Sequence, residues 1–335
     1  MAVRHDYFPA FDVFRGVGIL FVILAHSTGE SHTLDAFRPI GILGVHMFFA
    51  LSGFLITHRL MEEEEQTGTI RLTQFYRRRA RRILPPAAIY LAVLATLGPI
   101  LHKLPSSWSE IAACLFFYRN LYQPPMPSAW YTAHFWSLSL EEQFYLVWPA
   151  LLVVLGVRTL RVKAVGFGLI AASAVWRLYA STSNIYRTDL LVDHLLWGCM
   201  IALCWEEIRR RTTPAIRTIA GIAGIVAATT LLYKHPSKWQ AAFAFAVALG
   251  FIFSADAVDH WARGRTWLIK FGQASYDCYL WQSLFLPLPF AAAGVALVQR
   301  APMNYAFIAL LTAISFRLTM PKRNETSTSS TLRFP

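Results

Sequence analysis

The chain has 335 residues, 56% of them hydrophobic and 15% charged, and a mean hydropathy of +0.42. Soluble domains carry about 25% charged residues, so this composition excludes an ordinary water-soluble globule and implies a multi-span membrane protein. The net charge of +12 gives no case for nucleic acid as a partner. The arginines cluster at the ends of apolar runs, where membrane lipid and topology account for them.

Only helices or closed barrels satisfy their backbone groups in lipid. Strand-like alternation is absent, so the expected fold class is all-α, a polytopic membrane helix bundle. Spans are predicted near residues 12–28, 40–58, 83–101, 140–156, 164–180, 190–205, 216–232, 239–255, 275–297 and 304–320. Two of them, 190–205 and 216–232, are at or below the usual minimum of about 17 residues. The run from Ile111 to Phe117 is shorter still and is read as re-entrant or interfacial.

With the N terminus inside, 21 of the 31 Lys and Arg fall on inner segments. Counting Ile111–Phe117 as a crossing would spoil that asymmetry, so about ten transmembrane helices are expected, with N and C termini cytoplasmic. Residues 1–320 then form a single domain. Residues 321–335 read as a disordered cytoplasmic tail, rich in Ser and Thr. The first apolar run keeps an arginine inside it and lacks a small-residue cleavage site, so it is read as a span and not as a removed signal peptide.

That first run, FDVFRGVGILFVILAH (11–26), carries Asp12, Arg15 and His26. Arg15 and His26 are eleven residues apart, which is three helical turns plus roughly 20°, so they share a face about 16 Å apart along the axis. Either the two snorkel to the membrane boundaries, or they face a polar cavity with a function. The stretch 59–82 opens with four glutamates and continues with Arg71, Arg77, Arg78, Arg79, Arg81 and Arg82. Those arginines either anchor the third span on anionic lipid or hold a phosphate-bearing ligand, since guanidinium forks match phosphate oxygens.

The outer segment 119–139 is long and rich in Pro, Trp and Tyr, which fits a binding element or lid as well as an interfacial belt. It contains His134, read as a loop histidine, and Trp136. The next span opens with Glu141, Glu142, Gln143 and Tyr145, and a later one with Asp189, Asp193 and His194. Asp189 and Asp193, four apart, can share a helix face. The four cysteines, Cys114, Cys199, Cys204 and Cys278, lie in apolar segments and read as small hydrophobes. No metal site is expected.

Six blocks together resemble the acyltransferase 3 family of integral-membrane acyltransferases. They are FDVFRGVGILFVILAH (11–26), GVHMFFALSGFLIT (44–57), FYRRRARRILP (75–85), WSLSLEEQFYLVWP (136–149), RTDLLVDHLLWG (187–198) and SYDCYLWQ (275–282). The resemblance implies transfer of an acyl group, commonly acetyl from acetyl-CoA, to a hydroxyl of a carbohydrate or glycosylated acceptor. A surface polysaccharide or a macrolide-like small molecule are the acceptors considered. It places the family's Arg and His on Arg15 and His26, its basic motif on Arg79 and Arg82, its SGF turn on Ser52, Gly53 and Phe54, and its glutamates on Glu141 and Glu142, followed by Tyr145. The later aspartate fits Asp193, with Asp189 also present.

On that resemblance the expected roles are these. His26, Arg15 and Glu142 are catalytic, with His26 as general base. Arg78, Arg79, Arg82 and Ser52 bind acyl-CoA, a co-substrate and not a resident cofactor. Glu141, Tyr145, Trp136, Asp189 and Asp193 bind the acceptor or line the cavity. The expected location is the bacterial inner (plasma) membrane, and a homo-oligomer stays open. The sequence departs from the family in Gln282, where relatives often carry His, and in lacking a Glu-x-Pro after the last span. Two other readings stay open. One is a proton-coupled transporter, which intramembrane Arg, His and Asp also suit, although no internal symmetry is seen. The other is a family member that binds without catalysis.

Overall fold

The computed structural model describes residues 7–27, 37–101, 107–122, 130–180, 184–234, 239–286 and 302–319. These residues form fourteen helices in chain order: α1 Pro9–Ser27, α2 Arg38–Thr67, α3 Leu72–Leu101, α4 Trp108–Leu115, α5 Trp130–Ala133, α6 Phe135–Leu155 and α7 Leu160–Tyr179, then α8 Thr188–Arg211, α9 Pro214–Lys234, α10 Gln240–Phe253, α11 Ala255–Ala262, α12 Thr266–Gln273, α13 Ser275–Phe285 and α14 Met303–Thr319. No strand occurs among the described residues.

Among the described residues, seven helical segments are long and apolar enough to cross a membrane: α1, α2, α5 with α6, α7, α8, α9, and α10 with α11. Their outward faces stay apolar. Val154, Leu178, Ile219 and Val226 are all exposed, an arrangement that is costly in water and natural against lipid chains. The chain is an integral membrane helix bundle.

The two short predicted spans are longer than the sequence implied. α8 has 24 residues and α9 has 21, because each continues beyond its apolar run into or out of charged ends. α4 has eight residues, too few to cross a bilayer at 1.5 Å per residue, as expected for the Ile111–Phe117 segment. The span predicted at 275–297 is described only as far as α13 and the following residue. The residues beyond it, and the predicted tail, lie outside the described residues.

Helix ends follow their sequences. Gly68 ends α2 in the left-handed region at φ 70°, and its N–H reaches Glu64 O at 2.7 Å, a closing turn that glycine adopts without a Cβ clash. Ser107 and Thr159 cap α4 and α7 with their hydroxyls, relieving unpaired N–H groups.

The centre of the bundle is α2, packed between α1 and α8. A Cβ on Gly53 would come within 2.0 Å of Leu195 O, and one on Gly198 within 2.1 Å of Ala50 O. Small residues thus let α2 and α8 touch backbone to backbone, the usual means of holding membrane helices together. α1 is clamped on its other side by α12. These contacts fix α1, with Arg15 and His26, against α2, α12 and α13.

Candidate active site

The site begins with a local ion pair on α1. Asp12 is fully buried and its Oδ1 lies 3.6 Å from Arg15 Nη1. Tyr7 and Gln273 donate to its Oδ2 at 2.7 and 3.2 Å. A buried carboxylate needs a cation and hydrogen bonds to offset its desolvation, and here the same contacts hold the Arg15 guanidinium in place.

Arg15 faces a cavity of about 460 Å³. The C-terminal half of α2 and the N-terminal half of α3 supply its other cations, Arg59, Arg78, Arg79, Arg81 and Arg82. Acidic side chains temper this charge unevenly. Glu63 lies 3.4 Å from Arg78 and Glu142 3.0 Å from Arg79, while Arg82 has no ion pair among the described residues. Arg79 also lies over the ring of Tyr145, 3.4 Å from its centroid. A pocket with this surplus of guanidinium groups suits an anion carrying several phosphate oxygens.

A smaller cavity of about 80 Å³ adjoins the first. Arg15, Ser52, Arg79, Arg82 and Tyr276 line both, so they form the waist between them. The narrow branch continues past Glu141, which accepts a 3.3 Å hydrogen bond from Ser52 Oγ, toward Ser137, Leu138 and Tyr279. The Tyr279 hydroxyl donates to His134 O at 2.9 Å and lies 2.8 Å from Ser137 Oγ.

His26 lies beyond that branch. Its Nδ1 is 2.7 Å from Gln282 Oε1 and its ring meets Trp130 edge-on at 5.1 Å. It lines neither described cavity. The narrow branch ends at Tyr279, three residues before Gln282 on α13, a gap of about 4.5 Å along the helix. The segments 28–36, 123–129 and 287–301, which follow or precede α1, α5, α13 and α14 in the chain, are outside the described residues.

The expected site residues therefore fall into separate places. Arg15, Ser52, Arg78, Arg79, Arg82, Glu141 and Tyr145 gather around the adjoining cavities. Glu142 is held by Arg79, while Gln282 occupies Nδ1 of His26. Trp136 packs between Phe49 and Tyr186. Asp189 pairs with Arg187 at the mouth of α8 and accepts from Trp176. Asp193 is gripped by both Nη atoms of Arg177, at 2.9 and 2.6 Å, near a buried His46–His194 contact of 2.7 Å. Neither aspartate nor Trp136 lines either cavity.

Arg59 was missed as a site residue. It stands seven residues after Ser52, two turns along one helix face, a spacing visible in the sequence. His134 was read as a loop side chain. It is buried, and neither ring nitrogen has a hydrogen-bond partner among the described residues.

The family model described as an acyltransferase domain, that of acyltransferase 3, matches residues 8–319. The chain belongs to the acyltransferase 3 family. A peptidoglycan O-acetyltransferase, OatA, of Listeria monocytogenes serovar 1/2a is 28% identical over 93% of this chain and 55% of its own length. A putative O-acetyltransferase of Staphylococcus aureus strain COL is 27% identical over 83% of the chain and 50% of its own. The O-acetyltransferase OatA of S. aureus strain NCTC 8325 is 25% identical over 82% and 50%. The chain thus spans about half the length of these family members. No solved structure matches it.

Proposed function

We propose that the chain is a membrane-embedded O-acyltransferase that moves an acetyl group from acetyl-CoA to a hydroxyl of a carbohydrate at the outer face of the bacterial plasma membrane. One observation carries this reading. Six arginines, Arg15, Arg59, Arg78, Arg79, Arg81 and Arg82, converge on one cavity, and Arg15 stands on the helix that carries His26. The O-acetyltransferase names of the relatives support the acyl group and the oxygen acceptor, and the peptidoglycan in one name supports a carbohydrate.

In this reading the arginines hold the phosphates of the donor and its thin pantetheine arm threads the waist toward His26. Nε2 of His26 takes the proton of the acceptor hydroxyl, and the oxygen attacks the thioester carbonyl. The carbon–sulfur bond breaks, the acetyl group remains on oxygen as an ester, and the departing thiolate recovers the proton from the imidazolium. Imidazole suits the task because it changes charge near neutral pH, and general-base help is typically worth 10²–10⁴-fold in rate. Ten spans with both termini cytoplasmic would put the arginine cavity on the donor side and His26 toward the acceptor side. The test is acetyl transfer by the purified chain. Thiol should be released from acetyl-CoA only when a saccharide acceptor is supplied, and the acceptor should gain an ester-linked acetyl group. Absence of both would refute the reading.

The buried Arg177–Asp193 pair beside His46 and His194 favours a second reading, a proton-coupled transporter. Proton-driven uptake by vesicles containing the chain, without acyl transfer, would establish it instead.

A further inference from the structure

Gln282 is fully buried on α13. Its oxygen faces Nδ1 of His26 at 2.7 Å, and its amide nitrogen donates in another direction, to Ser283 Oγ at 3.1 Å. An amide oxygen only accepts, so the neutral imidazole opposite it must carry its hydrogen on Nδ1. That leaves the lone pair on Nε2, for which no partner occurs among the described residues.

We propose that Gln282 is the positioning residue of the transfer: it holds His26 in the tautomer with hydrogen on Nδ1 and so presents Nε2 as the base. This rests on the reading of His26 given above. The amide differs from the carboxylate that commonly backs a catalytic histidine. A carboxylate fixes the tautomer and also stabilises the imidazolium. A neutral amide fixes the tautomer and stabilises the imidazolium less than a carboxylate would, so the proton taken from the hydroxyl is more readily passed on to the thiolate.

Among the described residues, the other elements around His26 add no acid. α5 contributes the Trp130 ring. The turn between α5 and α6 contributes His134, whose charge would oppose that of His26. α14 contributes Tyr305, which is hydrogen-bonded to the neighbouring Ser27. The tautomer is therefore set by Gln282 and by no ionised group among the described residues.

The test reads the proton directly. Nitrogen-15 spectra of the full chain in detergent, with the His26 signals assigned by their loss in His26→Asn, should show a protonated Nδ1 and an unprotonated Nε2. Gln282→Met, similar in length and without an acceptor, should show both tautomers. Its kcat should fall by at least about 10-fold, while staying short of the full general-base contribution of 10²–10⁴-fold, with the KM for acetyl-CoA unchanged. Gln282→Glu should restore the single tautomer and move the acid limb of the pH–rate profile to higher pH, because a carboxylate favours the imidazolium. A wild-type spectrum with the hydrogen on Nε2 would overturn the proposal. So would a Gln282→Met protein that keeps one tautomer and the wild-type pH profile. Full activity in His26→Ala would contradict the base reading instead, and the spectrum would still judge Gln282.

Discussion

The Arg79 guanidinium carbon lies over the ring of Tyr145, 3.4 Å from its centroid, while its Nη2 donates to Glu142 at 3.0 Å. One cation thus joins α3 to α6 through an aromatic face and a single charged hydrogen bond. A lysine can reproduce the charge but not a planar group that meets the ring and the carboxylate together. Arg79→Lys should fold, bind acetyl-CoA about tenfold more weakly or worse, and leave the pH profile alone. Isothermal titration with acetyl-CoA checks this, and wild-type affinity in the lysine variant would contradict it.

Arg82 lines both cavities without an ion pair among the described residues, whereas Arg79 is already paired. Arg82→Gln should therefore raise the KM for acetyl-CoA and reduce the salt dependence of donor binding, since one fewer cavity charge takes part in the ionic attraction that salt screens. The same substitution should change the affinity for a CoA analogue lacking its 3′-phosphate by a smaller factor if Arg82 contacts that phosphate. Titrations at two ionic strengths separate these outcomes.

Close packing of α2 on α8 leaves no room at Gly198. Gly198→Val should cost about 1–3 kcal/mol or more through overpacking, and its side chain would spread the two helices that frame Ser52. Thermal unfolding in detergent should show a lowered midpoint, and a midpoint equal to that of the wild type would contradict the packing described.

Asp189 and Asp193 should behave differently from each other. Asp193 is fully buried and its ion pair with Arg177 is double. Removing one partner of such a pair leaves the other charge stranded, at about 3–5 kcal/mol. Asp193→Asn should lower stability strongly. Asp189→Asn breaks a partly exposed pair and should leave the unfolding midpoint where it is. If instead Asp189→Asn abolished transfer in a stable protein, the acceptor role expected from the sequence would be restored.

Much of this arrangement was legible in the sequence. The apolar runs marked the helices, and the eleven-residue step placed Arg15 and His26 on one side of α1, because helix periodicity acts locally. The grouping of Arg78, Arg79 and Arg82 with Ser52 was implied by the family resemblance of two motifs, and both motifs line one cavity. Contacts between distant segments were not legible. Gln282 meets His26 across 256 positions, and only packing of α13 on α1 reveals that the departure from histidine stands against the His26 ring. Glu142 shows the same limit. Its place beside Glu141 in the sequence said nothing of whether it would reach Arg79 or His26, since that depends on how α6 sets against α3.

The most direct measurement is the rate of acetyl transfer from acetyl-CoA by the purified full chain carrying His26→Ala, together with its affinity for the donor. The account expects transfer to fall about 10²–10⁴-fold while acetyl-CoA binding stays at the wild-type level, because the arginine cavity is untouched. Wild-type transfer in the alanine variant would contradict it.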